Sequence, residues 1–169
     1  MTVIVGVIGP DGTVTMGADS AGVADGRLEI RKDAKIFRNG PYLIGCTGVW
    51  TAGQRLQFAR LPEPKGELFK HMVTKFVPRL QLLLKGLDDY SMLVGVAGRI
   101  FHIYDDLQVA EVVEGYAAAG SGAQVARGAL WVLQYREKPE VKILTALYAA
   151  QRYCTDVRGP FTILSIGPD

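Results

Sequence analysis

Residues 2–20 read TVIVGVIGPDGTVTMGADS. The run at residues 3–8 is apolar and rich in β-branched side chains, and residues 13–16 have the same character. Between these runs, the Gly-Pro-Asp-Gly sequence at residues 9–12 has the composition of a tight turn. The stretch therefore predicts a β-hairpin at the start of the chain.

The type of turn decides which residues face each other at the open end of this hairpin. If the turn is symmetric about Pro10 and Asp11, Thr2 lies opposite Asp19. A type I turn with a glycine bulge at Gly12 shifts the pairing by one residue. In either register we expect Thr2 and Asp19 to be near neighbours, roughly 5 to 8 Å apart.

Groups of strands and groups of helices alternate along the rest of the chain. Two short strands are predicted at residues 28–37 and 41–46, on either side of an Asn-Gly turn. Hydrophobic periodicity predicts the later elements: a helix over residues 50–60, a long amphipathic helix over residues 69–87 kinked at Pro78, strands over residues 92–96, 99–104 and 107–113, helices over residues 123–135 and 140–153, and a final strand over residues 161–166. This order predicts an α+β fold, an αββα sandwich in which two sheets pack face to face between two pairs of helices.

The length and composition predict one globular domain over residues 1–169. The chain is 49% hydrophobic and 21% charged, which allows one substantial core. Its net charge is only +2, and its basic residues are interleaved with Asp and Glu. We therefore expect no nucleic-acid partner.

The cysteines and the N-terminus indicate the compartment. Cys46 and Cys154 lack the spacing of a zinc site or a disulfide scaffold, and they fit buried thiols in a reducing environment. The sequence has no secretory leader pattern, and no apolar run approaches the ~18 residues of a membrane span. We expect a cytoplasmic protein that does not bind membranes.

Thr2 carries chemistry of its own if Met1 is removed. The mature chain then begins with a hydroxyl and a free α-amine on one residue. An α-amine has a pKa of roughly 7.7 to 8.0, so near neutral pH it can accept the hydroxyl proton during attack on a carbonyl. A threonine paired with its own amine is therefore a candidate nucleophile that needs no histidine.

Several short motifs follow Thr2 in a fixed order. They are Gly-Ala-Asp-Ser at residues 17–20, Lys-Ile at residues 35–36, Gly-Cys-Thr-Gly at residues 45–48, Gly-Ser-Gly at residues 120–122, and Asp156. With these motifs the chain resembles the β-subunit family of the proteasome, including its bacterial relative, the HslV-type peptidase. The resemblance covers nearly the whole chain. It implies an αββα hydrolase with an N-terminal nucleophile.

Lys35 and Asp19 have physical roles that can be argued from their charges. A buried Lys35 near the N-terminus would favour the deprotonated state of the Thr2 hydroxyl and amine. A buried ammonium group is costly unless it is paired, and Asp19, at the end of a neighbouring strand, is its natural partner. The alternative is that Asp19 and Lys35 form a structural ion pair only.

Gly48 is the candidate donor to the oxyanion. One backbone N–H aimed at the negative oxygen of the transition state stabilises it by roughly 3 to 4 kcal/mol. Glycine at this position lets a substrate approach the backbone closely, and the resemblance implies the same role. Val49 stands where the family usually has a second glycine. The alternative is an ordinary glycine at the end of a strand.

Ser121 and Asp156 complete the candidate site. The resemblance implies that Ser121 binds the Thr2 amine and that Asp156 orients both groups. Alternatives are a helix N-cap for Ser121 and a solvated turn residue for Asp156. Gly159 departs from the family, which often has a serine at this distance from the aspartate, so the proton-handling network is less well defined than the group of Thr2, Asp19 and Lys35.

The sequence therefore predicts a threonine-type endopeptidase that cleaves polypeptide substrates without a metal or an organic cofactor. The resemblance implies homo-oligomeric stacked rings that enclose the active sites, and it raises the expectation of an ATP-dependent unfoldase partner. One alternative is an amidase that uses Thr2 on a small molecule. Another is a ring or scaffold subunit without activity, which follows if Met1 persists and leaves the Thr2 nitrogen as an amide.

Overall fold

A computed structural model describes residues 2–133, 135 and 138–168 of the chain. Its strands are β1 (Ile4–Ile8), β2 (Val14–Ala18), β3 (Ala21–Ala24), β4 (Arg27–Ile30), β5 (Ile36–Asn39), β6 (Tyr42–Gly48), β7 (Tyr90–Val96), β8 (Arg99–Ile103), β9 (Val109–Glu111), β10 (Tyr116–Ala119) and β11 (Thr162–Ile166). Its helices are α1 (Trp50–Gln57), α2 (Leu68–His71), α3 (Val77–Leu83), α4 (Ala123–Leu133) and α5 (Pro139–Tyr153), and a π-helical turn, Met72–Phe76, joins α2 to α3.

The predicted hairpin is present, in the shifted register. Ile4 pairs with Ala18 and Ile8 with Val14. Gly12 adopts a left-handed φ of 80°, the backbone geometry of a glycine bulge, and this adds one residue to the turn. The symmetric register is therefore wrong, and Asp19 faces Val3, whose carbonyl accepts its N–H at 3.4 Å.

Two sheets form the centre of the fold. One has four strands in the order β10-β1-β2-β11, and the other has five in the order β5-β6-β7-β8-β9. Because side chains alternate along a strand, the odd-numbered residues of β1 pack against α4 and α5, whereas Ile4 faces the second sheet. The outer face of the second sheet is covered by α1 and by the segment from α2 to α3. The predicted αββα sandwich is confirmed.

The single strand predicted over residues 28–37 is wrong. Residues 27–30 form β4, which pairs only with β3 in a separate two-stranded ribbon, and β5 begins at Ile36. The apolar side chains that suggested a buried strand, Leu28 and Ile30, are about half exposed. The charged stretch at residues 31–35 instead carries the chain from this ribbon to the second sheet.

The long amphipathic helix is present but irregular. The π-helical turn, Met72–Phe76, lies directly before Pro78, which occupies the first turn of α3. Because helical backbone continues on both sides, Pro78 lies inside the helix, and the wider π turn accommodates its missing N–H and the clash of its ring with the preceding carbonyl groups. Helical structure ends at Leu83, earlier than the predicted residue 87.

The sequence did not reveal β10. Its residues, Tyr116–Ala119, include three alanines, which have low strand propensity. They form a strand because they pair with β1 along the edge of the first sheet. This pairing brings the segment at residues 120–122 next to the start of β1. No helix in the described ranges is long and apolar enough to cross a bilayer.

Candidate active site

Thr2 lies just before β1, and its backbone is held by the Gly-Ser-Gly segment. Its nitrogen donates a hydrogen bond to Ser121 Oγ at 3.1 Å. Its carbonyl accepts from the Gly122 N–H at 3.3 Å, and Ser121 Oγ lies 3.2 Å from the same oxygen. Gly120 has a φ of 93°, and a Cβ there would lie 2.2 Å from the Thr2 carbonyl oxygen. A glycine at residue 120 is therefore required for this close approach.

Asp19, at the end of β2, is the centre of a buried hydrogen-bond cluster. Its Oδ1 accepts from Lys35 Nζ at 2.8 Å and from the Val3 N–H at 3.0 Å. Its Oδ2 accepts from the Ala21 N–H at 3.1 Å and from the Arg158 N–H at 3.4 Å. Four donors from four parts of the chain thus offset the cost of burying this carboxylate.

Lys35 lies immediately before β5 and is almost completely buried, with 3% of its side chain exposed. Burial lowers the pKa of Lys35, because removal from water disfavours its charged form, and the nearby Asp19 carboxylate opposes that effect. The Lys35 carbonyl accepts from the Cys46 N–H at 2.9 Å, which fixes the start of β5 against β6. The ammonium group is therefore held on a rigid sheet edge beside Thr2.

Gly48 ends β6 with a φ of 81°. A Cβ at this position would lie 1.8 Å from the Asp89 carbonyl oxygen, so only glycine fits. The Cys46 N–H points toward β5, where it binds the Lys35 carbonyl. N–H groups two residues apart in a strand point the same way, so the Gly48 N–H points toward the same side as the Cys46 N–H. At Gly48 the pairing of β6 with β5 has already ended.

Ser121 connects Thr2 to Asp156. Its Oγ donates to Asp156 Oδ2 at 2.5 Å, and Asp156 is buried, with 8% exposed. Gly159, which departs from the family pattern, donates its N–H to the Gln151 side chain at 2.7 Å. The structure thus brings Ser121 and Asp156 together on the Thr2 backbone, and all six predicted site residues lie around the start of β1.

The sequence did not indicate that Arg158 takes part. Its backbone N–H reaches Asp19, and its guanidinium donates to the carbonyl of Gln151 in α5 and to those of Cys154 and Val157 just after this helix. These contacts tie the segment that follows Asp156 to the buried cluster. No sequence signal pointed to this role, because the contribution to Asp19 is made by the main chain.

Two pockets border Thr2. The first, the Lys35 pocket, is lined by residues that include Thr2, Lys35, Cys46, Gly48, Trp50 and Gln54. The second, the His102 pocket, is lined by residues that include Thr2, Gly48, Asp89, His102, Tyr104 and Asp105. Trp50 thus borders the site on one side of Thr2 and His102 on the other.

The site offers no obvious metal position. Within residues 2–133, 135 and 138–168, no three His, Cys, Asp or Glu side chains are grouped as a metal would require. The groups that surround Thr2 are instead a paired ammonium, two carboxylates, a hydroxyl and backbone N–H donors. Such groups suit proton transfer and the stabilisation of an oxyanion.

Solved structures with the same fold are known. Over 99% of both chains, this chain matches Thiobacillus denitrificans BPH in complex with epoxomicin, with a TM-score of 0.82 and 21% identity. Another structure of Thiobacillus denitrificans BPH matches with a TM-score of 0.81 and 21% identity, over 99% of this chain and 98% of the other.

A eukaryotic protein shares the fold as well. HslV from Trypanosoma brucei matches with a TM-score of 0.78 and 19% identity, over 98% of this chain and 99% of the other. No protein-family model matches the sequence, and no curated protein matches it either. The chain therefore has the proteasome-type fold of HslV and BPH.

Proposed function

We propose that the chain, after removal of Met1, is a threonine-type endopeptidase with Thr2 as its nucleophile. The observation that carries this proposal is the buried pair of Asp19 and Lys35, whose charged atoms are 2.8 Å apart beside residue 2. A buried ion pair adds little net stability compared with an apolar core, so its position beside a hydroxyl favours a chemical role.

The reaction begins when Thr2 Oγ attacks the scissile carbonyl carbon and its proton passes to the Thr2 amine. The bond from carbon to the leaving nitrogen then breaks, and the amine gives the proton to that nitrogen. Water then attacks the resulting ester while the same amine accepts its proton. The ester bond breaks, and the proton passes to Thr2 Oγ, which restores the hydroxyl. The Lys35 ammonium stabilises the negative charge that develops on Oγ, and Asp19 holds Lys35 in place.

Two further groups support this reaction. The Gly48 N–H, directed away from β7, is the donor to the oxyanion. Ser121 Oγ, 3.1 Å from the Thr2 nitrogen, positions the amine, and Asp156 orients Ser121. The Thr2 nitrogen is an amide while Met1 is attached, and removal of Met1 turns it into the base.

We extend the proposal to assembly. HslV and BPH share the fold, and we propose that this chain also forms stacked homo-oligomeric rings that enclose the active sites in the cytoplasm, with an ATP-dependent unfoldase supplying unfolded polypeptide. Enclosure has a physical purpose, since a free endopeptidase would digest other proteins of the compartment. A ring subunit without activity is the competing hypothesis.

Intact-mass spectrometry of the natively produced protein tests the proposal. We expect loss of Met1, followed by a stable adduct of one molecule per chain with epoxomicin or another electrophilic peptide. Thr2→Ala should lose Met1 equally well, because alanine is also small, yet it should form no adduct. Thr74→Ala, at an exposed helical threonine, is the matched control and should react like the original chain. Retention of Met1 without an adduct would favour the inactive subunit.

A further inference from the structure

The proposed mechanism places the leaving group next to the His102 pocket. The Thr2 amine must protonate the leaving nitrogen, so that nitrogen must lie next to it. The Thr2 nitrogen binds Ser121 Oγ at 3.1 Å, and Ser121 lines the His102 pocket. The chain that follows the scissile bond therefore extends over this pocket, and the acyl part lies toward the Lys35 pocket.

The charge of the His102 pocket is negative. Asp89 and Asp105 line it, both are exposed to solvent, and none of the described lining residues is Lys or Arg. His102 adds no positive charge near neutral pH, because burial and the nearby Arg127 lower its pKa. Arg127 itself is paired with Glu114 at 3.0 Å. A cationic side chain is the ligand that this arrangement favours.

The shape of the pocket favours the same ligand. His102 and Tyr104 stack with ring centroids 4.1 Å apart and planes inclined by 22°, and the exposed Tyr104 contributes an aromatic ring to the pocket wall. Lys and Arg side chains place their apolar stems on such surfaces, and a guanidinium group also stacks on aromatic rings. Asp89 and Asp105 line the same pocket as these two aromatic residues.

We propose that the His102 pocket selects Lys or Arg as the residue that directly follows the scissile bond. The proposal rests on the proposed function, since it assigns a specificity to the same nucleophile. By contrast, the Lys35 pocket is lined by charges of both signs, Asp33 and Lys35, so it lacks the uniformly negative lining of the His102 pocket. Asp89 and Asp105 are therefore residues that determine specificity for the leaving group.

Matched peptide substrates test this assignment. Four internally quenched peptides share one acyl part and carry Lys, Arg, Ala or Glu after the scissile bond. A fifth substrate has the same acyl part and an aminocoumarin leaving group. We expect kcat/KM for the Lys and Arg peptides to exceed that for the Glu peptide by about tenfold. Two carboxylates attract a solvated positive charge and repel a negative one by energies of that order.

Two double variants locate the source of the preference. Asp89→Asn with Asp105→Asn should reduce the ratio of the Lys and Glu substrates to about twofold or less, because both charges are removed. Asparagine accepts the same hydrogen bond as Asp105 and tolerates the left-handed φ of 58° at Asp89. The neighbouring pair, Asp88→Asn with Asp106→Asn, removes equal charge outside the pocket lining and should keep the original ratio.

The outcomes separate the two proposals. If the original chain without Met1 hydrolyses neither the aminocoumarin substrate nor any peptide, the proposed function fails and this inference fails with it. If it hydrolyses the aminocoumarin substrate but cleaves the four peptides at equal rates, only the inference fails. The inference would also be overturned if the double variant of Asp89 and Asp105 kept the preference for Lys and Arg, because the preference would then have another source than the His102 pocket.

Discussion

The pair of Asp19 and Lys35 and the pair of Ser121 and Asp156 both hold the segment around Thr2, yet they are built differently. The first pair is sealed in the protein, with side-chain exposures of 0% and 3%. In the second pair, Asp156 is buried but Ser121 is exposed to solvent. The first pair therefore fixes both the fold and the charge at the site, whereas the second can exchange protons with water.

The largest expected effect is that of breaking the sealed pair. Asp19→Ala leaves Lys35 without this carboxylate and removes the acceptor of three backbone N–H groups, so we expect a loss of roughly 3 to 5 kcal/mol in the free energy of unfolding. Adduct formation with an electrophilic peptide should fall below detection. Urea denaturation and intact-mass spectrometry measure the two effects.

The chain contains a matched control for this change. Arg31 and Asp33 form an ion pair of 2.7 Å, with side-chain exposures of 31% and 39%. Asp33→Ala should cost only about 0 to 1 kcal/mol, since solvent screens an exposed pair. Equal costs for Asp19→Ala and Asp33→Ala would show that the Asp19 and Lys35 pair is no more than an ordinary surface contact.

The solvent-facing pair should separate activity from stability. Ser121→Ala removes the hydroxyl that contacts both the Thr2 nitrogen and Asp156, and we expect the rate of adduct formation to fall by roughly 100-fold. The free energy of unfolding should change by only about 1 to 2 kcal/mol, since the hydroxyl makes two hydrogen bonds of about 1 kcal/mol net each.

Ser165→Ala is the control for that measurement. The Ser165 hydroxyl is 2.9 Å from Thr15 Oγ1, in strands β11 and β2, at a distance from Thr2 along both strands. Its loss should change stability to a similar extent and leave the rate of adduct formation unaltered. A rate unaffected by Ser121→Ala would remove Ser121 from the proton-handling network.

The smallest expected effect is a shift in the pH dependence. Adduct formation needs a neutral Thr2 amine and a charged Lys35. As pH increases, the rate should therefore rise through the amine pKa of about 8 and fall through the higher pKa of Lys35. Burial lowers the pKa of Lys35 from its ordinary value of 10.5, so the alkaline fall should begin below that pH. A rate that stays level past pH 10.5 would contradict this assignment of the Lys35 charge.

Several features of the fold and site could be predicted from local sequence. Alternating apolar residues and turn chemistry gave the first hairpin, the order of strands and helices, and from them the four layers. The six candidate residues, Thr2, Asp19, Lys35, Gly48, Ser121 and Asp156, could be named because each stands in a short motif. Motif and periodicity are properties of neighbouring residues, and a single chain displays them directly.

Other features depend on the pairing of segments that are distant in sequence. The register of the hairpin was open until the φ of Gly12 decided it. The single strand over residues 28–37 was wrong because residues 27–30 pair with β3 in a separate ribbon, whereas β5 of the second sheet begins at Ile36. The alanine-rich β10 exists because β1 offers it an edge. None of these outcomes is encoded in local propensity alone.

By itself, then, the sequence determined which side chains are available for chemistry and how many layers the fold has, since both follow from short-range patterns. Only the tertiary structure decided how deeply Asp19 and Lys35 are buried, that the Arg158 backbone reaches Asp19, and that His102 and Asp105 share a pocket with Thr2. Burial and pocket walls are made by packing between distant segments, and this packing sets the pKa of Lys35 and the charge that a substrate meets.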